Sequence, residues 1–458
     1  MRISFYFTFL IYFIAFPVYS QSYQTYVPVK NDSLYLAGIK KEIKQKYLKD
    51  SASITGENKK YSIELYRQRF NSLNGRFTAN EFISTPQINN YLTSLVNEIL
   101  KVNPELKTLG TRFLFSKAYW PNAYSTGEGT IVINIGLFTK LDNESQLVFA
   151  LCHELSHFYL NHSNKAIDYY INTLYSDEFQ AKLKALKKKE FEKNKELDKL
   201  EKGVVFTGRR HGRQHESEAD SMALVFMKNT HFDVSASIGL LKILDNIDKD
   251  TYNTEEGLRT VFNSPDFPFQ NKWIKQEEAF FGVTKESELA DKETDSLKTH
   301  PDCKLRITRL NPIIEKLKIE TGIKNKVNQL YYDSLKKLFS FEIVEYCFKM
   351  DDISRCLYQA MELYKQYPED AYLTTMIGKC FNAMYTNQKN HTLYQIVTLP
   401  SALGEKNYNT LLEFIQHIKL QEIAGIGYFF LKQHEARFTI DKDFTITFNQ
   451  SKKNLNPQ

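Results

Sequence analysis

Leu151-Cys152-His153-Glu154-Leu155-Ser156-His157 lies in a run where Leu147, Leu151, Leu155 and Phe158 recur at helical spacing. Asn143 stands where an N-cap belongs, and Gln146 follows three residues later, a capping-box spacing. The stretch reads as a helix with one face in a core. Residues four apart lie above one another on a helix, so His153 and His157 can aim both imidazoles at one metal ion. Glu154 sits about 100° round from His153, close enough to reach a water at that metal without binding the metal itself. The competing reading is two surface histidines on an amphipathic helix. Only 10 of the 458 residues are histidine, which weighs against it.

A catalytic zinc takes three protein ligands and leaves a fourth position open. The metzincin layout, with a third histidine six residues after His157, fails because position 163 is serine and position 160 is leucine. His162 is five residues from His157 and is expected to face elsewhere. The run Arg213-Gln214-His215-Glu216-Ser217-Glu218-Ala219-Asp220 offers a carboxylate from a second helix, expected from about Glu216 to Lys228. Glu216 and Asp220 are four apart and share a face. Glu216 is the expected third ligand. Asp220 is expected to accept the spare imidazole N–H of His153, which would fix its tautomer and raise its basicity. Glu218 points away from that face and is the weaker candidate, as is His215.

Working outward, Ile88, Tyr91, Leu92, Leu95, Val96, Ile99 and Leu100 mark a buried helix face. Arg112 to Ala118 is strand-like. A Pro121-Asn122 turn and Gly127-Glu128-Gly129 precede a second strand, Thr130-Ile131-Val132-Ile133-Asn134, and the two strands can share a small sheet. If Thr130–Asn134 is an edge it can pair with an extended substrate; the plain alternative is an interior strand. A helix is expected from Ser33 to Leu48 and another over 233–247. Residues 248–298 read as irregular, with Pro265 and Pro268. From Ile313 onward the pattern is helical, except for a strand-like tail at Phe438 to Phe448. Cys356 to Tyr367 and Ala371 to Tyr385, joined by Pro368-Glu369-Asp370, look like one tetratricopeptide unit. With no visible repeat of ~34 residues, an ordinary helical hairpin explains them equally well. The expected fold class is α+β, mainly α. The expected division is 1–20, a leader; 21–84, a polar helical segment; 85–315, a catalytic domain with a charged insertion at 164–208 and the segment 248–298; and 316–458, a helical domain.

Composition narrows the function. With 60 basic and 54 acidic side chains the net charge is +6, so no large basic excess calls for nucleic acid. The lysine-rich stretch Lys182 to Lys202 is interrupted by Glu190, Glu192, Glu196, Asp198 and Glu201, which reads as a solvated helical hairpin. Arg2, the apolar run Ile3 to Phe16, Pro17 and Val18-Tyr19-Ser20 fit a cleaved secretory signal. Export to the periplasm is the expected fate, with secretion as the alternative. No later stretch is long and apolar enough to span a bilayer. The five cysteines, Cys152, Cys303, Cys347, Cys356 and Cys380, are an odd count and lack paired CxxC spacing, so neither a disulfide scaffold nor a structural zinc site is indicated.

Several separated motifs occur in a consistent order. They are Asn122-Ala123, Gly129-Thr130-Ile131-Val132-Ile133-Asn134-Ile135-Gly136-Leu137, the His153 motif, Arg213-x-x-Glu216-x-Glu218-Ala219-Asp220, Thr299-His300-Pro301, and Arg306-Ile307. Together they resemble the zinc metallopeptidases related to HtpX, the CAAX prenyl endoprotease, Oma and BepA, over roughly residues 85–315. The resemblance implies a gluzincin-type, zincin-like domain, one zinc per chain, and endoproteolysis of protein or peptide substrates. It points to the soluble exported branch and to misfolded envelope proteins as substrates. It also implies that a C-terminal tetratricopeptide domain can follow, offering a surface for a protein partner. For His300 it implies a gating or oxyanion-stabilising role, against the plain reading of a capping residue before Pro301. The long lysine-rich segment and residues 248–298 depart from the family pattern, so substrate choice does not carry over. Two other functions fit parts of the pattern: a non-catalytic, chaperone-like binding protein with a structural or inhibited zinc site, and a metal-dependent hydrolase of small molecules. Glu154 argues against the first, because a structural site has no use for it.

Overall fold

The computed structural model describes residues 26–56, 58–187, 212–246, 252–274, 303–316, 329–401 and 404–457. The leader read at 1–20, most of the lysine-rich stretch and His300 lie outside the described residues. The fold is α+β and mainly helical, with one small sheet.

The sheet has four strands: β1 (Phe82–Ile83), β2 (Arg112–Ser116), β3 (Ala123–Ser125) and β4 (Thr130–Asn134), in the order β1-β2-β4-β3. β2 and β4 run parallel, with Phe113 opposite Ile131 and Phe115 opposite Ile133, while β1 and β3 pair antiparallel on the outside. β4 is therefore interior, and the edge reading of Thr130–Asn134 is corrected. Every residue of β4 is buried, as expected for a strand covered on both faces. Ile131 and Ile133 face the main core, together with Phe115. Val132 faces the other way, with Leu114 and Phe82, onto Ile43 and Leu73 of an N-terminal helical pair, Ser33–Ser53 and Lys59–Thr78.

The β3–β4 hairpin turns at Gly129, whose φ of 95° suits a residue without a Cβ. The chain then enters the short helix Ile135–Lys140. Gly136 there donates its N–H to the carbonyl of Ala118, and a Cβ at this position would come within 1.9 Å of the carbonyl oxygen of Tyr119. Asn134 also holds this 118–122 loop, with its side-chain amide donating to the carbonyl of Trp120 at 2.9 Å. Thus β3, the outer edge, is tied tightly to the strand beside it.

The helix Glu144–Tyr159 packs against β3, β4, the helix Pro86–Val102 and the helix Ala236–Asp245. Asn143 caps it, accepting from the backbone N–H of Gln146 at 3.1 Å. Gln146 does not return the bond to Asn143; its Oε1 accepts from the backbone N–H of Asp142, so the capping box is shifted by one residue.

Seven α-helices follow among the described residues between Gln329 and Leu455. The first, Gln329–Lys349, packs on Ile135–Lys140, so Tyr332 and Phe339 meet Phe138 and the two regions share one core. Ile353–Gln366 and Ala371–Lys389 form the hairpin read from the sequence, with Asp370 capping the second helix. Two expectations change. Residues 252–274 are not simply irregular: Asn253 caps a helix at Thr254–Val261, and Leu258, Phe262 and Trp273 are buried, the helix packing against Lys406–His417. The strand-like tail is helical, as Glu435–Phe438 and Lys442–Leu455. Asp441 caps the second of these, and Phe444, Thr447, Phe448 and Ser451 bury one face at three- and four-residue spacing. Tertiary burial overrides the alternation of β-branched residues there. No helix among the described residues is long and apolar enough to cross a membrane.

Candidate metal centre

His153 and His157 occupy the last two turns of Glu144–Tyr159, and their Nε2 atoms lie 3.0 Å apart. A second helix, over 212–227, brings in Glu216. Its Oε1 is 3.2 Å from Nε2 of His157, and its Oε2 is 3.4 Å from Nε2 of His153. The three ligand atoms lie within 4.8 Å of one another and could hold a metal ion. A tetrahedral zinc with bonds of about 2.0–2.1 Å has ligand–ligand edges of about 3.3 Å, so the spacing fits that ion. Glu154, between the two histidines, is buried.

Asp220, one turn beyond Glu216, stands behind His153 with Oδ1 2.9 Å from Nδ1. The structure adds a residue that the sequence pattern left without a role. Arg306, on the helix Cys303–Lys316, donates to both oxygens of Asp220, from Nε at 2.7 Å and from Nη2 at 2.6 Å. Its Nη1 lies 3.0 Å from Oε2 of Glu216. Arg306 is only 4% exposed, so this is a charge buried among the carboxylates that orient the site.

These contacts set the protonation of the metal-free cluster. Burial works to lower the pKa of His153, but Asp220 and Glu216 outweigh it and push the value up to about 10. Burial also opposes the charge on Glu216; His153, His157 and Arg306 nevertheless hold it well below the usual carboxylate range. For Asp220 the opposition from burial is overcome first by Arg306 and then by His153. The metal-free cluster thus holds a protonated His153 beside ionised Glu216 and Asp220, and a metal taking the Nε2 lone pair would release that proton; two imidazoles and one carboxylate are a donor set that zinc accepts.

The expectation that His162 faces elsewhere is corrected. Asn161, in the left-handed conformation at φ 58°, ends the first helix and turns the chain before His162–Leu174 begins. The turn returns His162 behind His157, with their Nδ1 atoms 3.0 Å apart. Nε2 of His162 lies 3.1 Å from Oε2 of Glu218. His215 stacks on the ring of His162, with centroids 4.1 Å apart. Glu218 and His215 therefore gather around His162 while Glu216 meets the two Nε2 atoms. Burial pushes His162 down to about 4, and nearby His157 and His215 add to that push.

No curated protein matches the chain. The model for Peptidase family M48 matches residues 86–314, a stretch that begins at the helix Pro86–Val102, contains the whole sheet except β1, and ends beyond Arg306. The match takes in every residue of the buried cluster and half of the 458 residues. The chain belongs to peptidase family M48, whose members are zinc-dependent.

Proposed function

We propose that the protein is a zinc-dependent endopeptidase with one zinc per chain, held by His153, His157 and Glu216, and with Glu154 as the general base. The observation that carries this reading is the convergence of two imidazole Nε2 atoms and one carboxylate, with Glu154 on the same buried turn. Zinc bound there supplies Lewis-acid polarisation of the scissile carbonyl and of the attacking water. Glu154 takes the proton of that water as attack begins and delivers it to the leaving amine. Asp220 fixes His153 with its proton on Nδ1, leaving Nε2 free to bind. Arg306 keeps Asp220 and Glu216 ionised and stationary.

The substrate is a polypeptide in extended form, laid along the outer edge of β3. Support comes from the sheet order, which leaves β3 outermost among the described strands, and from the packing of β3 on the His153 helix. The chain acts after export, in the periplasm, on misfolded envelope proteins; the supports for this are the leader pattern at 1–20 and the family resemblance. His300 controls access to the metal; the support for this is the Thr299-His300-Pro301 element of the family resemblance.

Casein cleavage by the zinc-loaded wild type, set beside Glu154→Gln, tests the reading. Cleavage by the wild type alone supports an endopeptidase. No cleavage by either points to a binding protein or to a small-molecule hydrolase. A further expected result concerns Asp220. The Asp220→Asn protein should bind zinc ~10–100-fold more weakly, the usual cost of losing a partner behind a ligand histidine. Competition with a chromophoric chelator measures it, and an unchanged dissociation constant would reduce Asp220 to a helix-packing residue.

A further inference from the structure

The two histidines of the cluster are supported differently. Behind His153 stands a carboxylate, Asp220. Behind His157 stands a third imidazole, His162, which is 3% exposed. For Nε2 of His157 to offer a lone pair to a metal, its proton has to sit on Nδ1. That N–H then points at Nδ1 of His162, 3.0 Å away, which has to be the unprotonated nitrogen. The proton of His162 therefore resides on Nε2 and is donated to Oε2 of Glu218 at 3.1 Å. The other oxygen of Glu218 is held by the side-chain amide of Gln214 at 2.9 Å. Each member of the row His157, His162, Glu218 is left with one role, and the ring of His162 is kept in plane by the stacked His215 at an interplanar angle of 11°.

We propose that His162 is a positioning residue for the metal: with Glu218 behind it, it fixes the tautomer and ring orientation of His157 through a relayed hydrogen bond. The proposal rests on His157 being a metal ligand. The plain alternative is that His162 merely fills space between the two helices.

Two substitutions separate these accounts. His162→Phe keeps a flat ring for packing and stacking but removes the acceptor. His162→Asn sacrifices the ring but keeps an acceptor oxygen near the place of Nδ1. Zinc dissociation constants of the full chain, measured by chelator competition, are expected to rise ~10–100-fold for Phe and to stay within about threefold of wild type for Asn. Wild-type affinity in the Phe variant, with weakened binding in Asn, would overturn the proposal and leave a packing role. The side chain of Glu218 is 43% exposed, so its variants are expected to fold even where a ring substitution does not. Glu218→Ala is then expected to weaken zinc several-fold and Glu218→Gln, which still accepts from Nε2 of His162, to restore it. Equal affinity in both Glu218 variants and the wild type would also overturn it. Failure of the wild type itself to bind zinc would overturn the metal reading on which the proposal rests, a result separable from the others.

Discussion

Glu154→Gln is expected to retain zinc and fold while losing about 10²–10⁴-fold in casein turnover, the usual contribution of a positioned general acid–base group. Glutamine has nearly the same shape and can keep the packing of a buried residue on a helix whose other face is core. It can neither take a proton from the attacking water nor return one to the leaving amine. The loss should therefore appear in kcat rather than in zinc content, since Glu154 is not among the three converging ligands. Metal analysis and steady-state kinetics on the same preparation check both halves. A variant cleaving at near wild-type rate would remove Glu154 from the mechanism.

Arg306→Met is expected to produce the largest loss of stability. Arg306 donates two hydrogen bonds to Asp220, beside the contact from His153, and it also touches Glu216. Methionine keeps much of the volume but takes the guanidinium away from buried Asp220 and partly buried Glu216, leaving only the imidazoles of His153 and His157 beside them, at a cost of about 3–5 kcal/mol, the usual range for breaking a buried ion pair. Denaturant unfolding of the metal-free protein should show it. The cost should shrink when Asp220→Asn is already present, because the two changes remove one shared interaction. Strictly additive losses would show that Arg306 stabilises the fold independently of Asp220.

The paired histidines were legible because one helix carries both and the four-residue spacing alone decides their common face. Glu216 with Asp220 was legible for the same reason, on a second helix. Arg306 stood in the family pattern but its role was not legible, because its place beside Asp220 depends on how a third helix packs. His162 was missed through helical projection. A continuous helix would have turned it away, but left-handed Asn161 breaks the projection within one residue. The position of β4 depended on a three-residue strand, Ala123–Ser125, too short for alternation to show. At the tail, Phe444 and Phe448, four apart, satisfy both a strand-like and a helical spacing, and the Asp441 cap and the neighbouring helices select the helix, which also buries Thr447.

In the proposed mechanism a metal at His153, His157 and Glu216 does the chemistry. Its most direct test is to strip the full-length protein with a chelator, remove the chelator, and titrate zinc back while following casein cleavage. The expected result is no cleavage by the stripped protein and full recovery at one equivalent of zinc per chain, with no recovery in Glu216→Ala at the same concentration. Cleavage that survives stripping, or recovers equally in Glu216→Ala, would contradict the account.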